Sequence, residues 1–350
     1  MSAKPTPANA PSGWKSLLKR SWPTIRIVLS IALLWKATSG IDWEALFASE
    51  LQMQPWWFVA AFFCMTGAFL CGGLRWGLLM RSVGFQGSIL GYISLYFAGG
   101  LINQGLPSTL GGDSYRAITG SHLKPSGTLS GDANEAKVLA KELHEQVDME
   151  HANPTLRLSI TMTFVDRLLG LAGNNLLGGI GLILGGATLA SWGNDLGYAV
   201  IAVMLGSGTL LAIALVWSPT RALFQGLLNR FQMGGALPGI QMAFAWPINV
   251  AQAVFGIGIH FLTILALGFC LKAYGAVVPI EALMIGLPAL SLLLMLPISI
   301  SGWGLREATL TSVLALWGVS PSLTVLGSIS YGAMTVLCVL PGAYALLKRK

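Results

Sequence analysis

Two apolar stretches of this chain are interrupted in the same way, and the interruption limits the folds open to it. Residues 101–117, LINQGLPSTLGGDSYRA, follow an apolar run directly, yet they hold a Pro, three Gly, an Asp and an Arg. Residues 296–308, LPISISGWGLREA, repeat the plan. Pro107 stands nine residues before Arg116, as Pro297 does before Arg306, and Gly112 and Gly302 keep equal offsets from their prolines. Proline removes a backbone donor and clashes with the preceding turn. Glycine, here Gly111, Gly112, Gly302 and Gly304, lets a chain reverse. Irregular backbone at membrane depth survives only inside protein or beside a water-filled cavity. The pair is therefore read as two broken helical hairpins that face each other within a bilayer. An ordinary extramembrane turn between two spans is the alternative for each.

A bilayer is implied by composition. Only 10% of the 350 residues are charged and 54% are hydrophobic, where a soluble domain carries about a quarter charged residues. The apolar segments run from end to end, so the expectation is an all-α, polytopic membrane protein with a single transmembrane domain, 21–350, behind a disordered tail, 1–20. The net charge of +7 reports membrane-flanking loops rather than a nucleic-acid partner. Cys64, Cys71, Cys270 and Cys338 all fall in apolar runs without metal-ligand spacing and read as buried thiols.

Apolar periodicity predicts helices near 22–38, 55–80, 88–105, 156–187, 196–217, 246–271, 281–296, 304–318 and 322–347, with a loop at 218–245. A span needs about 20 apolar residues. With six spans and two hairpins, Lys and Arg gather on the side of the N-terminus. That places both termini in the cytoplasm of a cell whose inner membrane holds the protein. Charge alone does not separate this arrangement from eight full spans. The blocks 55–187 and 246–347 both read helix, hairpin, helix. Under six spans they start from opposite sides, which makes them an inverted repeat of the kind that places a transport site at the repeat interface.

The polar segment 120–156 is the long insertion. Within it, 132–150 reads as an acidic surface helix, either a cytoplasmic partner site or a solvated insertion. His122, His144 and His151 there lack ligand spacing, and no metal or cofactor site is expected. His260 stands alone on an apolar helix, where a packing role is the simpler reading.

Asp113, Arg116, Arg306 and Glu307 follow the two breaks, and Asp166 and Arg167 lie inside a long apolar helix. Ionisable groups in a membrane are costly and mark function by default. Structural ion pairs, such as Asp166 with an arginine of the first hairpin, are the alternative. Arg116 and Arg306 are the candidate headgroup ligands, because a guanidinium grips phosphate with a planar fork of donors. Asn103, Gln104, Asn174 and Asn175 either line the same cavity or make interhelical hydrogen bonds. GxxxG at 181–185 points to close helix packing.

Taken together, several of these segments resemble the lysylphosphatidylglycerol synthase transmembrane-domain family of flippase-like proteins. They are Arg75-Trp76 with Leu78-Leu79, the run Leu106 to Arg116, Asp166-Arg167-Leu-Leu-Gly170, and the run Pro297 to Glu307. The resemblance covers about 25–347. It implies a lipid-translocating membrane domain of about eight helical segments, two of them broken. The chain is expected to act without the soluble synthase domain of two-domain members. The expected function is a non-enzymatic flippase for a phospholipid or lipid-linked anionic headgroup. The rivals are a membrane-embedded transferase, an ion-coupled transporter of a small solute, and a scaffold in envelope-lipid synthesis.

Overall fold

The computed structural model describes residues 13–39, 53–106, 110–123, 141, 154–185, 188, 218–230, 236–294, 299 and 301–348. Pro107, Pro297, the 132–150 helix apart from Lys141, and the 196–217 helix lie outside these residues. Within them the protein is all α-helical. The helices are α1 (Gly13–Ser39), α2 (Trp56–Ser82), α3 (Ile89–Gly105), α4 (Leu110–Ser121), α5 (Pro154–Leu184), α6 (Ser218–Arg230) and α7 (Ala236–Phe244). They continue with α8 (Ile248–Lys272), α9 (Ile280–Leu293), α10 (Leu305–Leu314), α11 (Pro321–Val339) and α12 (Gly342–Leu347).

Length sorts these helices. The helices α2, α5, α8 and α11 are long and apolar enough to cross a membrane, and α1 has a shorter apolar stretch, Ile27–Lys36. The hairpin arms α3, α4, α9 and α10 have 17, 12, 14 and 10 residues. All fall short of the roughly 20 needed to span. The outer faces agree with a lipid surround. Val250, Val254, Ile257 and Phe261 on α8, and Leu176, Ile180 and Ile183 on α5, form exposed apolar stripes at helical spacing. Water would not tolerate such patches in a monomer.

Two long helices form the centre. Gln54 donates its backbone N–H to the carbonyl of Ala273 at 2.9 Å, Trp57 stacks on Phe269, Gly67 faces Leu262, and Gly258 faces Cys71. Numbers fall on α8 as they rise on α2, so the pair is antiparallel. Each begins a helix–hairpin–helix set: α2, α3, α4, α5 and α8, α9, α10, α11. The sets also exchange their final helices. Asn174 on α5 donates to the carbonyl of Pro288 on α9 at 3.3 Å, and Gly181 meets Met284. Reciprocally, Val339 of α11 lies against Gly100 of α3, and Gly342 of α12 against Phe97. Small residues make these approaches possible. Each set has its own apolar core, one around Trp76, Tyr92, Leu158 and Met162, the other around Leu267, Leu283, Leu310 and Leu314.

Three differences from the sequence reading have local causes. α1 starts at Gly13, so residues 13–20, assigned above to the tail, are helical. Residues 218–245 are not a loop but hold α6 and α7. Gly234, Gly235, Pro238 and Gly239 suggest a turn by type, yet Ile240, Met242 and Ala243 are buried in the first core and Pro238 falls in the first turn of α7, where its missing donor costs nothing. The final helix divides at Pro341 into α11 and α12.

Candidate functional site

The first hairpin is closed by backbone contact. A side chain at Gly112 would collide with the Gly99 carbonyl oxygen, and one at Gly99 would meet the Gly112 carbonyl. Asn103 stabilises the join, its Oδ1 accepting from the Gly112 N–H at 2.7 Å. Gly111 and Gly112 therefore lie within α4 and serve close approach; they are not the residues that reverse the chain, as expected above. Gly302 and Gly304 each have φ +80°, a backbone region that glycine adopts freely. The tips of the two hairpins meet: Ser301 Oγ donates to Gln104 Oε1 at 2.9 Å.

Behind the first hairpin, α2, α4 and α5 bring five charges together. Arg75 Nε donates to Asp166 Oδ1 at 2.9 Å, and its Nη2 donates to the Asp166 carbonyl at 3.0 Å. On the other side of that carboxylate, Arg116 Nη1 lies 3.5 Å from Oδ2. Arg116 also donates to Asp113 one turn earlier, at 2.5 Å. Its guanidinium rests over the rings of Tyr96 and Trp76, at 4.5 and 5.1 Å from their centroids. The second oxygen of Asp113 accepts from Arg167 Nε. Exposure divides the arginines. The Arg116 side chain is 5% exposed and that of Arg167 is 42% exposed. The Nη1 atoms of Arg75 and Arg116 are buried without a hydrogen-bond acceptor. Three guanidinium groups face two carboxylates, so among the described residues the cluster holds one cation more than it holds anions.

The second hairpin presents a balanced pair. Glu307 is fully buried. Its Oε2 accepts from the Gly304 N–H at 2.7 Å, and its Oε1 accepts from Arg306 Nε and Ser328 Oγ, both at 2.9 Å. An acid in the first turn of α10 also meets the positive end of the helix. Arg306 lies over Trp303, 4.6 Å from the ring centroid, and presses on Gly332, where any side chain would strike the guanidinium. α1 covers this end: a side chain at Gly304 would meet Ser30, Leu33 and Leu34.

The sequence-predicted residues thus fall into two places. Asp113, Arg116, Asp166 and Arg167 share one cluster, and Arg306 and Glu307 form another. Asn103 and Asn174 make structural hydrogen bonds. Sequence reasoning missed Arg75, Trp76 and Tyr96 as partners of the first cluster and Ser328 as a partner of the second. A cation inside an apolar helix was the available signal for Arg75. Among the described residues no His, Cys, Asp or Glu group has a metal-binding arrangement.

No curated protein matches the chain at a significant level. The family model described as the lysylphosphatidylglycerol synthase TM region matches residues 24–342. That span contains both hairpins, both charge clusters and the antiparallel central pair, so the chain belongs to the lysylphosphatidylglycerol synthase transmembrane-region family.

Proposed function

We propose that the protein is a non-enzymatic lipid translocase that passes an anionic, phosphate-type headgroup across the inner membrane. The observation that carries this reading is the arginine-rich cluster behind the first hairpin. A guanidinium open to its surroundings, backed by two buried ones, suits a phosphate group, which it grips with a planar fork of donors. The family supports a role in lipid metabolism or translocation. Arg167 is the accessible cation, and Asp113 holds the place that a phosphate oxygen would take. On arrival, the headgroup replaces Asp113 on Arg167, while Arg116 stays seated between its two rings. The antiparallel α2–α8 pair and the tip-to-tip contact of the hairpins support an inverted repeat. Rocking of its halves about the Gln104–Ser301 contact exposes the site to each side in turn.

The test is movement of fluorescent phosphatidylglycerol in reconstituted liposomes. Wild type accelerates transbilayer movement. Arg167→Gln lowers the rate at least tenfold without unfolding the protein, as judged by its thermal transition. The Arg116→Ala variant abolishes movement. Equal rates for wild type, Arg167→Gln and protein-free liposomes overturn the reading.

A further inference from the structure

Among the described residues, no member of α6 joins an apolar core. Its sequence, SPTRALFQGLLNR, is nevertheless two-sided. At about 100° per residue, Leu223, Phe224, Leu227 and Leu228 share an arc of about 140°, interrupted by Thr220, and Arg221 and Arg230 stand at its two edges. The opposite arc is polar or small. On it Gln225 Nε2 donates to Asn229 Oδ1 at 3.2 Å, and a side chain at Gly226 would have nothing within 4 Å. The apolar arc is open as well, with Leu223 75% and Leu227 49% exposed. Apolar surface in such an arc is stable only under cover.

Place and charge identify the cover. Only residues 231–235 separate α6 from α7. The helix α7 is fixed at the end of the bundle where α2 stops and α8 starts: Ser82 Oγ lies 3.8 Å from Met242 Sδ, and Met242 is buried with Met80 and Val83. That end carries the marks of a membrane–water boundary. Trp246, just before α8, is exposed, and so is Arg81 in the last turn of α2. Tryptophan and long basic side chains gather at the level of lipid headgroups. From residue 196 to residue 280 the chain has no Asp or Glu, so nothing on α6 or beside it in sequence repels a phosphate. A second copy of the helix on this arc would set arginines against arginines. An anionic lipid surface matches both the apolar arc and its basic edges.

We propose that α6 lies in the plane of the bilayer surface and binds anionic phospholipid, with Leu223 and Leu227 turned to the acyl chains and the arginines at the edges of the arc meeting phosphate. None of these residues belongs to either charge cluster, so the inference goes beyond the translocase reading and does not need it. The helix α4 ends at the same level, with Gly120 facing Met80. Anionic lipid held by α6 therefore gathers on the side of the bundle where the first hairpin ends.

The experiment uses the full chain in nanodiscs of phosphatidylcholine alone or with phosphatidylglycerol. In hydrogen exchange read by mass spectrometry, the α6 amides of the wild-type protein exchange about tenfold more slowly in the phosphatidylglycerol nanodiscs. Arg221→Gln/Arg230→Gln removes the difference, while peptides of α2 and α8 exchange as before. The photoreactive variants Leu223→p-benzoylphenylalanine and Leu227→p-benzoylphenylalanine form lipid adducts, and the same probe at position 229 forms far fewer. Equal exchange of wild-type α6 in the two lipids overturns the proposal, with or without lipid adducts. So does cross-linking of the 223 and 227 probes to a second copy, to another segment of this chain, or to no lipid at all.

Discussion

The two hairpins hold their arginines in opposite ways. Arg306 is matched by one carboxylate, which is itself saturated by a backbone N–H and by Ser328. Arg116 belongs to a group in which one carboxylate is shared by two arginines and another reaches an arginine half open to its surroundings. Glu307 has both its oxygens occupied, so an anion approaching Arg306 competes with a carboxylate whose own hydrogen bonds are made. In the first cluster the Arg167 side chain is 42% exposed, and that opening is where the proposed headgroup would enter. On the translocase proposal, matched sequence offsets thus give a lock in one half and a receptive site in the other.

The comparison can be broken most severely at the lock. Glu307→Ala leaves Arg306 buried without its counter-ion, and this should cost about 3–5 kcal/mol, read as a lower thermal transition in detergent. Replacing the pair by Arg306→Met/Glu307→Leu should restore most of that stability and keep lipid movement. A stable double variant that moves no lipid would make the second hairpin a binding site after all.

At the receptive site the pattern reverses. Arg167→Gln should leave the thermal transition nearly unchanged, because exposed ion pairs contribute little. It should weaken anionic-lipid binding by about 2 kcal/mol, the scale of a hydrogen bond to a charged group, measured by lipid titration in nanodiscs. Gly332→Ala sharpens the contrast from the packing side. It pushes on the Arg306 guanidinium and should cost about 1–3 kcal/mol, while leaving anionic-lipid affinity alone. The smallest effect belongs to the contact between the tips. A double-mutant cycle of Gln104→Ala and Ser301→Ala should give about 0.6 kcal/mol of coupling. Zero coupling would mean that the hairpins do not act through that bond.

Much of this was legible in the chain because membranes restrict the choices. Apolar length located α2, α5 and α8 to within a few residues. Arg116 and Arg306, singled out by their matched spacing, stand in the short helices α4 and α10. The alternative reading of Asp166 as an ion-pair partner for the first hairpin also describes what Arg116 does, at 3.5 Å. What stayed hidden depends on the third dimension. Arg75 meets Asp166 across 91 residues of chain, and no local pattern records that meeting. The partner against which His260 packs, Gly173, comes from another helix and is likewise unrecorded in the local sequence. The roles of Gly111 and Gly112, both inside α4, were misread for a related reason: at Gly112, a glycine required by a neighbouring backbone looks, in sequence, like a glycine required by a turn.

The exchange of final helices bears on how the protein is made. Every charge of the first cluster has left the ribosome by Arg167, so that group assembles while the second half is still unsynthesised. The groove of α3 at Phe97 and Gly100 is different, because its cover, Val339 and Gly342, comes from the far end of the second set. Until that end is made, lipid tails, or an insertase, must occupy that groove, and a truncated nascent chain would carry a finished charge cluster on an unsealed hairpin.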